Sequence, residues 1–201
     1  MPSMNLLLIG HSYVRDLVKE IPSVFETAGH TIEVSGICKS GGTYNDFLNI
    51  PSLWSRVEAQ KADIIVIILA GNSITESATN SQIYTSSTLF YRRLRDQFPA
   101  AKIIAAQVEP RFYKAGNKWG CPVGTEFHKR RVAINNFLRA LKIKDHILMV
   151  GGPNRLDNRD LYCKDGVHLT NEGILFYYNT IKKTIRFVIN GPRQHRTLKL
   201  D

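Results

Sequence analysis

The run Asp63-Ile64-Ile65-Val66-Ile67-Ile68-Leu69 restricts the fold more than any other stretch of the chain. It reads as a strand that is apolar on both faces. Such a strand has to be covered from both sides, as happens in a parallel sheet held between layers of helices. Met4–Ile9, Thr31–Ile37, Ala101–Val108 and Ile147–Val150 read as four more strands. Amphipathic stretches lie between them. Tyr13–Ala28 spaces Val14, Leu17, Val18, Ile21 and Val24 in a near-helical pattern that Pro22 interrupts. Ser86–Phe98 reads as a basic helix stopping before Pro99, and Thr125–Leu141 and Asn171–Ile189 as two further helices. Five strands alternating with helices predict an α/β protein with a five-stranded parallel sheet.

A chain of 201 residues fits one domain, since single domains commonly reach about 200 residues. No internal repeat and no second domain are visible. Residues 1–189 are expected to form the domain and 190–201 a flexible basic tail. The hydrophobic fraction of 43% argues for a globular chain rather than a disordered one. Three cysteines, Cys38, Cys121 and Cys163, form no metal-ligand spacing, and a disulfide framework is not expected in a chain this large. No apolar run reaches the roughly 18 residues that would span a membrane. The short apolar stretch near the start lacks a basic leader, so no signal peptide is expected. The localisation expected from these features is cytoplasmic or intracellular.

The polar residues that could carry chemistry fall after strands. In an open parallel sheet, ligands bind beyond the carboxyl ends of the strands. Ser12 follows the first strand within Gly10-His11-Ser12-Tyr13, Gly41 and Gly42 follow the second, and Asn72 follows the third. Asp165 and His168 lie after the fifth, just ahead of the last helix. A hydroxyl, an imidazole and a carboxylate are the three groups of a serine hydrolase: a base takes the serine proton and a carboxylate fixes the base's tautomer. Ser12 also sits where a helix begins, so its N–H can donate to a developing oxyanion. Read alone, the same serine is an ordinary helix N-cap. Asn72 can donate its side-chain amide to the oxyanion, and either Gly41 or Gly42 can bring a backbone N–H close to a substrate.

These four blocks, Gly10-His11-Ser12-Tyr13 with Leu17, Ser40-Gly41-Gly42-Thr43, Ala70-Gly71-Asn72-Ser73 and Asp165-Gly166-Val167-His168, resemble in order and spacing those of SGNH (GDSL-type) hydrolases. The likeness covers about residues 4–189. It implies a flavodoxin-like three-layer α/β/α sandwich and ester hydrolysis through an acyl-serine intermediate. No lid of any size is inserted, which favours short-chain carboxylic esters; no cofactor is expected, and no metal, since the histidines are scattered without ligand spacing. It places the nucleophile at Ser12, the acid–base pair at Asp165 and His168, and the oxyanion donors at Ser12, Gly41 and Asn72. Two blocks depart from the family pattern. His11 stands where an acidic residue is usual, and Ser73 where the third block usually carries aspartate. The Gly-His-Ser form on a basic chain is also similar to esterase domains of some retrotransposon open reading frames.

The connection Glu109–Gly124 is long and carries Arg111, Phe112, Tyr113, Trp119 and Cys121. It reads as a binding loop. With His11, the aromatics Phe112, Tyr113 and Trp119 are the candidate contacts to a small acyl-ester substrate.

Two rival readings use other residues. The chain carries 27 Lys and Arg against 17 Asp and Glu, a net charge of +10. Arg92-Arg93 with Arg95, Lys129-Arg130-Arg131, and Lys182-Lys183 through Lys199 would serve a nucleic-acid-associated module with a secondary or vestigial esterase site. No recognised nucleic-acid motif accompanies these clusters, and aromatic residues are not interleaved with the charges. Cys163 lies close to His168 as a rival nucleophile. It follows no strand and opens no helix, so nothing activates its thiol.

Overall fold

A computed structural model describes residues 1–75, 77–112, 125–141, 147–150 and 158–191. The tail beyond residue 191 and most of the Glu109–Gly124 connection, including Tyr113, Trp119 and Cys121, lie outside the described residues.

The elements run β1 (Ser3–Gly10), α1 (Ser12–Glu20), β2 (Val24–Thr27), β3 (His30–Cys38), α2 (Tyr44–Asn49), α3 (Pro51–Glu58) and β4 (Ile64–Ile68). They continue with α4 (Ala70–Ser73), α5 (Asn80–Gln97), β5 (Lys102–Ala106), α6 (Thr125–Ala140), β6 (Ile147–Val150), a 3-10 turn (Arg159–Leu161) and α7 (Asn171–Asn190). The sheet order is β2-β3-β1-β4-β5-β6. The five strands other than β2 pair in parallel. Counting only those five, the order is 2-1-3-4-5, the flavodoxin-like doubly wound arrangement.

Several elements differ from the sequence expectation. The helix expected over Ser86–Phe98 starts earlier, at Asn80, where Thr79 and Gln82 form a capping box. The helix expected over Tyr13–Ala28 ends at Glu20, and Val24–Thr27 forms an antiparallel edge strand on β3 instead. Pro22 accounts for the break, because proline restricts the residue before it and offers no N–H to continue the ladder. Among the described residues the sheet therefore has six strands, the five expected ones and an antiparallel edge. The residues after Thr43 fold into the two short helices α2 and α3. Thr43 and Asp46 form a capping box at the start of the first, and Pro51 opens the second.

The pleat divides the strand residues between two cores. Leu7, Ile9, Ile65, Ile67, Ile103 and Ala105 face one side, where α2, α3, α5 and α6 contribute Phe47, Trp54, Phe90, Leu94, Phe127 and Ile134. Leu6, Leu8, Ile64, Val66, Ile68 and Ile104 face the other, where α1 and α7 contribute Tyr13, Val14, Leu17, Tyr177, Ile181 and Ile185. This is the period-2 alternation of a strand covered on both faces, and it explains why β4 needs five apolar residues in succession. Full burial of each aliphatic side chain contributes about 1.5–3 kcal/mol.

Candidate active site

The site sits at the carboxyl edge of the sheet. β1 ends at Gly10, and its neighbour Ile68 ends β4. A side chain at position 10 would collide with the Ile68 carbonyl oxygen. Glycine there lets the chain turn tightly out of the sheet, with the His11 N–H donating to that same carbonyl at 3.2 Å. His11 is the N-cap of α1, its Nδ1 accepting from the Tyr13 N–H at 3.4 Å. Ser12 is thus the first helical residue rather than the cap, and the hydroxyl is spared from capping.

The other two groups come from one turn. The Asp165 Oδ1 accepts from the N–H groups of Val167 at 2.9 Å and His168 at 3.0 Å. Its Oδ2 lies 2.6 Å from His168 Nδ1. On the far side of the ring, His168 Nε2 lies 3.1 Å from Ser12 Oγ. A hydroxyl and an imidazole separated by 156 positions are therefore within proton-transfer reach. Burial pushes the Asp165 carboxyl up, but hydrogen bonds from the His168 ring and from the Val167 and His168 N–H groups, with the attraction of the imidazole, outweigh it. The net shift is downward, and the carboxylate stays ionised. The turn is held from below by the Tyr13 hydroxyl, which donates to the Val167 carbonyl at 2.5 Å.

Gly41 has a φ of +69°, a conformation glycine adopts without strain. Gly42 donates its N–H to the Lys39 carbonyl at 2.8 Å. Of the two glycines, Gly41 is the one whose N–H carries no hydrogen bond among the described residues. Asn72 lies in the short helix α4 directly after β4, and its Oδ1 accepts from Arg111 Nη2 at 2.6 Å. A single basic residue in a long connection has no local signature, so nothing in the sequence marks Arg111. Phe112 packs its ring edge against Tyr162 at 4.9 Å between centroids, and its N–H donates to the Gly166 carbonyl at 2.7 Å.

His11 is buried, only 6% exposed. Burial first, then the charge of Arg111 and the neighbouring His168, lowers its pKa to about 3, so the ring is neutral near pH 7. With Nδ1 accepting, the proton resides on Nε2. A small cleft beside the ring is lined by Gly71, Val108, Glu109, Arg111 and Tyr177. The rival thiol of Cys163 donates to the Leu169 carbonyl at 3.3 Å. No group of His, Cys, Asp and Glu that could hold a metal ion occurs among the described residues. Nor is any described helix long and apolar enough to cross a membrane.

Three arginines of the basic clusters are occupied with the fold. Arg93 donates to the Leu48 carbonyl and stacks 3.9 Å over Trp54. Arg95 donates to the carbonyls of Pro99 and Ala101. Arg130 donates to Asn80 Oδ1 and to the carbonyls of Thr75 and Ala78.

The three-layer α/β/α fold is shared with solved structures of hydrolases. A carbohydrate esterase family 3 protein from Talaromyces cellulolyticus superposes with a TM-score of 0.65 at 16% identity, over 93% of this chain and 98% of that one. A GDSL-like lipase from Bacteroides thetaiotaomicron gives 0.61 at 19% identity, over 93% and 88% of the two chains. A lipase/acylhydrolase from Enterococcus faecalis gives 0.62 at 15% identity, over 96% and 100%. No protein-family profile and no curated protein sequence matches the chain. The comparisons lend no support to the narrower likeness to retrotransposon esterase domains or to a nucleic-acid partner.

Proposed function

We propose that the chain is a serine ester hydrolase of the SGNH (GDSL) type, acting on short-chain carboxylic esters through an acyl-serine intermediate. The observation that carries this reading is the relay from Asp165 Oδ2 to His168 Nδ1 at 2.6 Å and from His168 Nε2 to Ser12 Oγ at 3.1 Å. The kinship in fold with proteins named esterase, lipase and acylhydrolase supports it.

In this reading Ser12 Oγ attacks the ester carbonyl carbon while His168 Nε2 takes its proton. The oxyanion that forms accepts from the Ser12 N–H, the Gly41 N–H and the Asn72 amide. One such donor typically accounts for a factor of about 10²–10³ in rate. His168 then gives the proton to the departing alcohol. A water deprotonated by the same imidazole attacks the acyl carbon, and the carboxylic acid leaves as Ser12 regains its proton. Asp165 holds the imidazole in the tautomer these transfers need. His11, with its Nε2–H beside the cleft, and Phe112 are the described residues assigned to substrate contact.

Turnover of p-nitrophenyl acetate tests the reading. The parent hydrolyses the ester and takes up a fluorophosphonate on the peptide containing Ser12, whereas Ser12→Ala and His168→Ala lose both properties. If both variants match the parent, the assignment of nucleophile and base fails.

A further inference from the structure

We infer that Arg111 is a positioning residue that fixes which end of the Asn72 amide faces the reacting carbonyl. The inference rests on the ester-hydrolase reading and deepens it. An arginine side chain has five donors and no acceptor, so the atom it meets at 2.6 Å has to be the amide oxygen of Asn72. The NH₂ end is thereby turned away from the arginine and presented as a donor. Without that contact a terminal amide has two orientations of similar energy, and the wrong one sets a carbonyl lone pair against the developing oxyanion.

The surroundings are shaped for this contact. Gly71 precedes Asn72, and a side chain at that position would come within 3.2 Å of Arg111 Nη2. The guanidinium lies 5.2 Å from the Phe127 ring centroid, which braces it from α6. The next residue, Phe112, ties its N–H to the Gly166 carbonyl inside the Asp165–His168 turn. Two adjacent residues therefore link the Asn72 amide in α4 to the turn that carries the base. The hydrogen bond is charge-assisted, and such bonds are roughly twice as strong as neutral ones.

A double-mutant cycle tests this in the full chain, with p-nitrophenyl acetate as substrate and thermal melts on every protein. Arg111→Met is expected to lower kcat about tenfold with KM changed less than threefold, a part of the factor that a whole oxyanion donor supplies. In the Asn72→Ala background the same substitution is expected to change kcat less than twofold, because the group it orients is gone. Arg111→Lys keeps a charged donor and is expected to recover at least threefold of the kcat lost in Arg111→Met. Arg111→Gln runs the same cycle as a second uncharged variant if Arg111→Met does not fold. Equal losses in both backgrounds, a loss confined to KM, or Arg111→Lys no better than Arg111→Met overturns the inference. An inactive parent overturns the esterase reading and this one together; an active parent with an additive cycle overturns only this one.

Discussion

The two faces of the sheet bury similar numbers of aliphatic strand residues but use their aromatic side chains differently. Under α2, α3 and α5, Phe90 stands at the centre of Tyr44, Phe47, Trp54 and Tyr91, with ring centroids 5.5–6.3 Å away. The two tyrosine hydroxyls there meet each other at 3.4 Å, and the Trp54 Nε1–H donates to Glu58 one turn further along α3, so the polar groups of this cluster find partners close by. Under α1 and α7 the rings are spread out in pairs: Phe25 against Tyr178, Phe112 against Tyr162, and Tyr13 edge to face with Tyr177 at 6.1 Å, next to His11. The Tyr13 hydroxyl leaves this core to hold the His168 turn through Val167. The Phe90 cluster thus packs away from the His168 turn, whereas Tyr13 on the other face bonds directly to it.

Substitutions that separate stability from activity test this division. The largest effect is expected at Ser12→Ala. If Ser12 is the nucleophile, its loss should cost about 10⁴-fold or more in kcat, while the melting temperature stays close to the parent's. A parallel collapse of stability would show that the two roles are not separable. Phe90→Ala comes next. Removing a buried phenylalanine is expected to cost about 3–5 kcal/mol of unfolding free energy, with kcat per folded molecule unchanged; denaturant melts and active-site titration read the two quantities. A fall in kcat of the folded fraction would mean that the aromatic face reaches the site.

Tyr13→Phe sits on the dividing line. It leaves the Val167 carbonyl without its partner, at a cost of about 1–3 kcal/mol, and it should lower kcat as well because the His168 turn loses its support. Loss of stability with full kcat would assign Tyr13 to packing alone. The smallest effect concerns His11. Its folded pKa of about 3 lies below the ordinary value of about 6.5. Between those pH values the unfolded chain binds a proton that the folded chain refuses, so stability falls as pH falls through this window. The slope due to this group is at most about 1.4 kcal/mol per pH unit. His11→Asn keeps a capping oxygen but removes the titration. Its stability should therefore fall less steeply than the parent's between pH 6.5 and pH 5, and equal slopes would contradict the buried neutral ring.

Most of the architecture was legible because a doubly covered strand leaves a plain signature. Six apolar residues from Ile64 to Leu69 admit few alternatives. The parallel order then delivers Ser12, Asn72 and the Asp165–His168 turn to one edge, so the site's main groups could be named before their distances were known. β2 was not legible: Val24 continues the helical spacing of Val14, Leu17 and Ile21, and the edge strand declares itself only in its alternation of exposed Val24, buried Phe25, exposed Glu26 and buried Thr27. The signals for α2 and α3 lay in the cap at Thr43 and in Pro51 rather than in periodicity. Arg111 was hidden for a different reason, since its partner Asn72 lies 39 positions away and only the folded chain brings them together.

The guanidinium of Arg130 grips Asn80 and two backbone carbonyls of the segment between α4 and α5, Arg95 fastens the turn before β5, and Arg93 holds the last turn of α2. Some of the surplus positive charge is accordingly a by-product of clasping loops, not an invitation to acidic partners. Exchanging Arg130 for lysine would preserve the electrical tally and still undo the clasp, because a single ammonium cannot reproduce the rigid planar fork that reaches three acceptors at once.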